Sequence, residues 1–190
     1  MLSAWPRVIG RLDRVVESVL RWDVETLQAI SEHPILSRFS LLFLIATYLG
    51  DGYLWGGIAL GLILFGQPID RDYVLIGLGI TIVNIAVFRL FKLVFGRARP
   101  TFVVCGLRSR LIDSYSFPSG HATTSFGLAL VISAFYPAWP IQISIYLVAI
   151  MIALSRVYLR EHYPLDVICG GLLGLFTAAY LLPFFKSLLF

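Results

Sequence analysis

Residues 73–95 read YVLIGLGITIVNIAVFRLFKLVF, and the chain runs on into Gly96-Arg97-Ala98-Arg99-Pro100. At about 1.5 Å of rise per residue, one helix of this length crosses a hydrocarbon core of about 30 Å. The run ends in a basic cluster, which is expensive in lipid and marks a membrane face. The whole chain has the same bias. Of 190 residues, 58% are hydrophobic and 14% charged, against about 45–50% and about 25% in an average soluble domain. A chain this apolar cannot hide its side chains inside one small soluble core. Intrinsic disorder, a disulfide-stapled secreted fold and a nucleic-acid-binding module are poor readings of it. The expected fold is all-α, a polytopic membrane helical bundle. No linker, repeat or low-complexity stretch divides residues 1–190, so a single domain is expected.

Working outward, Ile35 to Phe65 is nearly continuously apolar, broken by Gly50-Asp51-Gly52. A span needs about 20 residues, so this stretch is long for one crossing and short for two. The reading favours one crossing over about residues 46–66, entered by a shallow helix. Gln67 to Asp72 reads as a polar turn. On the other side, residues 96–118 form a polar loop. Ala122–Tyr136, Ile141–Tyr158 and Leu165–Phe185 then supply three more crossings. The total is five, or six if residues 35–65 cross twice. Residues 5–30 carry Trp5, Val8, Ile9, Leu12, Val15, Val16, Val19 and Leu20 at helical spacing, with Arg7, Arg11, Arg14 and Glu17 opposite. That is an amphipathic helix suited to a membrane surface, interrupted by His33 and Pro34. Residues 1–45 therefore read as an interfacial segment and 46–190 as the helical core. The glycine pairs Gly57/Gly61 and Gly170/Gly174 suit close helix packing. The N-terminus lacks the apolar run and cleavage site of a secretory signal.

The charge is +4, and every basic residue except Lys92 and Lys186 is Arg. Arg presents a planar fork of donors to phosphate, and it also marks membrane boundaries. Counting crossings places three polar clusters at one membrane face. The first is Lys92 to Pro100, where Lys92 and Arg99 lie two helical turns apart. The second is Phe117-Pro118-Ser119-Gly120-His121, which opens an apolar helix. Free N–H groups at such a helix start bind phosphate, and His121 is a proton donor beside it. The third runs from Ser155-Arg156 to His162 and Asp166. A carboxylate one turn beyond a histidine holds one ring nitrogen and leaves the other free to attack. Taken singly, the clusters also fit a snorkelling basic helix end, an ordinary helix cap and a helix-start polar pair. Cys105 and Cys169 are too few for a disulfide framework or a zinc site; free thiols are expected.

Together the clusters resemble the type 2 phosphatidic acid phosphatase superfamily, membrane lipid-phosphate phosphatases related to vanadium haloperoxidases. Its pattern, K-x6-RP, PSGH and SR-x5-H-x3-D, finds Lys92, Arg99, Pro100, Pro118, Ser119, Gly120, His121, Ser155, Arg156, His162 and Asp166 all in place. The motif region is 92–166, and residues 1–45 carry no motif.

The resemblance implies hydrolysis of a lipid phosphomonoester or diphosphate. His162 would be the nucleophile that forms a phosphohistidine, oriented by Asp166. His121 would protonate the leaving group and then activate water. Lys92, Arg99, Ser119, Gly120 and Arg156 would hold the phosphoryl oxygens. No metal and no other cofactor is expected: three cations supply the positive field, and Asp113 is isolated from other carboxylates. The expected partners are the bilayer and a lipid phosphate such as phosphatidylglycerol phosphate, phosphatidic acid, undecaprenyl diphosphate or a lipid A phosphate. No nucleic acid and no obligatory protein partner is expected. Bacterial relatives imply an inner-membrane protein with its site on the extracytoplasmic face, although the positive-inside rule favours the cytoplasm. Arg97, Arg108, Arg110, Arg160 and Glu161 fall outside the pattern and read as solvated interfacial charge. Tyr115, Phe117 and Tyr163 read as an interfacial aromatic belt. A transporter would place its charges at mid-membrane; a catalytically dead scaffold would have lost at least one of these side chains.

Overall fold

The computed structural model describes the backbone of residues 5–100 and 115–189 and the side chains of 13–100 and 115–189. Cys105, Arg108, Arg110 and Asp113 lie outside the described residues, as do the side chains of Trp5 to Leu12. The elements are α1 (Trp5–Ser31), a 3₁₀ turn (Leu36–Phe39), α2 (Ser40–Tyr48), a π turn (Leu49–Tyr53), α3 (Leu54–Phe65), α4 (Pro68–Phe95), α5 (Gly120–Phe135), α6 (Trp139–Tyr158) and α7 (Pro164–Leu189). The all-helical class is as expected, with no strand among the described residues. Leu36–Phe65, α4, α6 and α7 are long and apolar enough to cross a membrane. At 16 residues, α5 rises about 24 Å and packs against α4, α6 and α7.

Two boundaries differ from the sequence reading. Gln67 to Asp72 is not a separate turn. Gln67 caps α4 by accepting from the N3 backbone, Asp70 bonds back to the Gln67 N–H at 2.7 Å, and Pro68 opens the helix. A polar capping box with proline in the first turn starts a helix. Nor does a helix begin at residue 46, where the expected crossing was set. α2 starts at Ser40 and packs on α6. Gly50-Asp51-Gly52 is carried by a π turn in which Gly52 takes φ 109°, a conformation glycine adopts without steric penalty. A kinked helical path from Leu36 to Phe65 thus runs through the stretch read as a shallow helix and a crossing.

Small buried residues set the packing. One cluster joins Leu27 of α1, Ala122 of α5, Ala153 and Val157 of α6 and Val167 of α7. A second joins Trp55, Ala129, Ala149 and Ile152 across α3, α5 and α6. A third joins Ile76, Ile80, Val131, Ala178 and Leu182 across α4, α5 and α7. The outside is apolar as well: Phe65, Phe176 and Leu93 are 88%, 77% and 74% exposed, as expected of a surface facing lipid. The two glycine pairs have separate fates. Gly57 and Gly61 face open space, whereas a Cβ on Gly170 would lie 2.5 Å from the Ser119 carbonyl oxygen and one on Gly174 2.0 Å from that of Thr123. Only the α7 pair therefore brings two helix backbones together.

This contrast makes a stability prediction. Gly174→Ala drives a methyl into backbone that cannot swing aside, and should destabilise by about 1–3 kcal/mol. Gly57→Ala should lose no stability. Thermal unfolding of both variants in detergent checks this, and a Gly174→Ala protein as stable as its parent contradicts the α5–α7 packing.

Candidate active site

At the C-terminal end of α4, Gly96 takes φ 55° and turns the chain out of the helix in the left-handed cap that glycine favours. Residues 97–98 then run beside 115–116: the Ser116 N–H donates to the Arg97 carbonyl at 2.8 Å, and Ala98 pairs with Tyr115 in an isolated bridge. Lys92, in the last turn of α4, is 3% exposed and donates to the Tyr115 carbonyl at 2.8 Å. The Ser119 N–H donates to the Asp166 carbonyl at 2.9 Å, joining the start of α5 to the first turn of α7. The His162 N–H donates to the Arg156 carbonyl at 3.1 Å across the α6–α7 turn. Pro164 opens α7.

These constraints bring Lys92, Arg99, Gly120, His121, Arg156 and His162 to one cavity of about 910 Å³. Its polar end lies between α4, α5 and α6. Its body is apolar, with Ile58, Leu62, Val74, Ile85, Leu128 and Phe135 among the lining. Along α4 the lining extends from Tyr73 to Lys92, about 28 Å at helical rise. Ser119 and Asp166, also expected in the site, are fully buried and do not line the cavity. The Ser119 hydroxyl has no hydrogen-bond partner among the described residues. Asp166 Oδ2 lies 3.6 Å from His162 Nδ1, just beyond hydrogen-bond distance, and accepts the Tyr163 N–H at 2.9 Å.

Four further charged side chains belong to the site: the sequence reading took Arg97 and Glu161 for solvated charge and gave Asp23 and Asp51 no role. Arg97 is not a solvated charge. One of its nitrogens donates to Asp166 Oδ1 at 2.7 Å and another to Asp23 Oδ2 at 2.6 Å, and its guanidinium lies 4.1 Å from the Tyr163 ring centre. Asp23, fully buried, also accepts the Leu165 N–H at 2.8 Å. Tyr163 is thus a stacking partner as well as a rim aromatic. Glu161 is also drawn in: its carboxylate bonds the Arg156 guanidinium and lies 3.8 Å from that of Arg99. Asp51 lies with Oδ1 2.7 Å from His121 Nε2. The only trace of Asp51 in the sequence is a charge between two glycines in an apolar run. Asp23 left no trace and Glu161 read only as interfacial charge, because only the docking of α1 and the path of the α6–α7 turn give them partners. Arg160 stays at the rim, donating to Glu32 at 2.6 Å and Ser31 at 2.8 Å.

The sequence model of the PAP2 superfamily matches residues 72–188. The chain is 29% identical over 181 residues to an undecaprenyl-diphosphatase of Sulfolobus acidocaldarius, covering 92% of this chain and 81% of the relative. It is 37% identical over 90 residues to a lipid A 4'-phosphatase of Bacteroides thetaiotaomicron, covering 42% of this chain and 38% of the relative. The fold is similar to the crystal structure of Aquifex aeolicus LpxE, with a TM-score of 0.62 at 26% identity over 84% of this chain and 94% of that one. It also resembles the transmembrane PAP2-type phosphatidylglycerolphosphate phosphatase of Bacillus subtilis, with a TM-score of 0.69 at 21% identity over 90% and 87%.

The electrostatics of the site decide the state of His162. It is 1% exposed, and burial disfavours its charged form. Arg156, Arg99, Lys92 and His121 then act in the same direction, so its pKa falls well below the ordinary histidine value. A lowered value keeps the ring neutral, and its lone pair available, further into acid. The folded protein takes up this proton at lower pH than the unfolded chain, so the contribution to stability is lost as pH falls through the folded value. Nitrogen NMR of labelled histidine in the detergent-solubilised protein should show His162 neutral at pH 6, where an ordinary histidine is mostly charged. An imidazolium signal from His162 at that pH contradicts the reading.

Proposed function

The chain belongs to the PAP2 superfamily, and we propose that it is an integral-membrane lipid-phosphate phosphatase working through a phosphohistidine. The carrying observation is that three cations and two imidazoles gather at the head of a cavity whose body is apolar. A phosphate fits the first part and a lipid tail the second.

In this reading Lys92, Arg99 and Arg156 spread positive charge around the equatorial oxygens of the phosphoryl group, and the Gly120 backbone adds a helix N-terminus. His162, neutral, attacks phosphorus. His121 gives a proton to the departing oxygen and later takes one from the water that cleaves the phosphohistidine. Asp166 and Ser119 support the site from behind the lining. Asp166, itself fixed by Arg97, holds His162 in its attacking orientation. The positive field needs no metal, and among the described residues no group of three His, Cys, Asp or Glu is arranged to hold one.

Residues 36–65, α4, α5, α6 and α7 make five crossings, with α1 on the membrane surface and 1–190 acting as one domain. The membrane is a bacterial-type inner membrane, and the site faces outward. The substrate is one of the lipid phosphates named above: relatives carry the names undecaprenyl-diphosphatase and lipid A 4'-phosphatase, and the tail region here spans most of a bilayer.

Phosphate release from a panel of these lipids in detergent tests the proposal. Activity should survive excess EDTA and be inhibited by vanadate, which mimics pentacoordinate phosphorus. His162→Ala should abolish turnover, a loss of more than about 10³-fold, and Asp166→Asn should slow it severely. A phosphoenzyme trapped in His121→Ala but absent from His162→Ala supports the assignment. The reverse pattern exchanges the two roles, and an absolute magnesium requirement overturns the mechanism.

A further inference from the structure

We propose that Asp51 is the positioning residue for His121, forming a second carboxylate–imidazole pair that holds this histidine as the acid of the reaction. The inference rests on the phosphatase reading above and adds to it a residue outside all three sequence clusters.

The first observation is the contact itself, Asp51 Oδ1 to His121 Nε2 at 2.7 Å, made between residues 70 positions apart. Both side chains line the cavity. The second is the backbone that delivers it. A Cβ on Gly50 would lie 2.8 Å from His121 Cδ2 and 2.6 Å from Ile152 Cγ2, so only glycine lets this turn come so close to the ring. Gly52 then takes a positive φ of 109° at the kink between α2 and α3, a conformation that glycine adopts without penalty. Gly50-Asp51-Gly52 thus places one carboxylate on one imidazole.

The electrostatic need is equally specific. An acid must carry its proton when the bond to the leaving oxygen breaks. The cavity that His121 shares holds Arg89 and Lys92 from α4, Arg99 from the following loop, Arg156 from α6, and His162 and Glu161 from the α6–α7 turn. Four of these six are cations, which disfavour an imidazolium, and Glu161 is bonded to Arg156. Asp51 is the carboxylate in contact with His121, and its charge opposes that field at hydrogen-bond distance. It also fixes the orientation of the ring, with Nε2 held at Asp51. In the forward step the proton leaves the His121 ring for the leaving oxygen as the O–P bond breaks and the His162–P bond forms. Water then attacks phosphorus, the His162–P bond breaks, and the water's proton returns to His121.

The test compares wild type with Asp51→Asn and Asp51→Glu in detergent, following the first turnover by rapid quench. The two substrates are a phosphatidic acid, whose alkoxide needs protonation, and p-nitrophenyl phosphate, whose phenolate leaves without it. Asp51→Asn should slow first-turnover cleavage of the lipid by roughly 100-fold, in the range for loss of a general acid. It should slow the aryl ester less than about fivefold, by the same reasoning, and move the alkaline limb of the lipid pH profile to lower pH. Asp51→Glu, which keeps the carboxylate, should recover part of the lipid rate. Equal losses on both substrates, or an unmoved alkaline limb, overturn the role of Asp51 and leave the phosphatase reading standing. Wild-type protein that cleaves neither substrate overturns both.

Discussion

Arg97 is the interaction on which the site depends. Its guanidinium joins two carboxylates that are both fully buried, Asp23 from α1 and Asp166 from α7. Burying a carboxylate without a partner is strongly unfavourable, and breaking a buried pair leaves that penalty exposed. Arg97 removes it twice at once and lies over Tyr163 while doing so. Asp166 is therefore pinned on three sides: by Arg97, by the Tyr163 N–H and, through its carbonyl, by the Ser119 N–H. Those bonds tie α1, the loop after α4, the start of α5 and the start of α7 into one polar knot. His162 stands at its edge.

The rest of the polar end follows the same rule of charge matching. An apolar bundle can carry several cations at one end only if carboxylates and carbonyls meet them. Lys92 has the Tyr115 carbonyl, Arg156 has Glu161 and Thr47, and Arg99 has the Glu161 carbonyl at 3.1 Å. Asp51 faces His121 from the π turn. The π turn, the left-handed Gly96 and the glycine contact between α5 and α7 are the backbone devices that let these groups meet. A side chain at Gly50 or Gly174 would push its neighbours apart, and one at Gly52 or Gly96 would strain the backbone.

Below the knot the chemistry becomes that of a lipid tail. The cavity continues between α3, α4 and α5 over apolar side chains, and the outer surface of the bundle is apolar too. A substrate with an anionic head and a long hydrocarbon finds both environments in one continuous space, head against cations and tail against leucine, isoleucine and phenylalanine. The helices that form this space are those whose length suits a bilayer, which couples the membrane setting to the reach of the pocket.

Much of this was legible before any coordinate. Composition and the run of residues 73–95 determined a helical membrane protein, because a backbone in hydrocarbon must satisfy its own hydrogen bonds. Counting crossings put three clusters at one end, and the resemblance of their combined pattern to the phosphatase superfamily singled out Lys92, Arg99, His121, Arg156, His162 and Asp166. The sequence could not say that Gln67 begins a helix, that Gly57 and Gly61 pack against nothing, or that Ser119 and Asp166 sit off the cavity surface. It also could not pair Asp23 with Arg97, Glu161 with Arg156, or Asp51 with His121. Those pairs join residues from different helices or from an irregular turn, and their strength comes from burial. A charge at a helix end reads alike whether water or a carboxylate faces it, and only the packed bundle decides which one does.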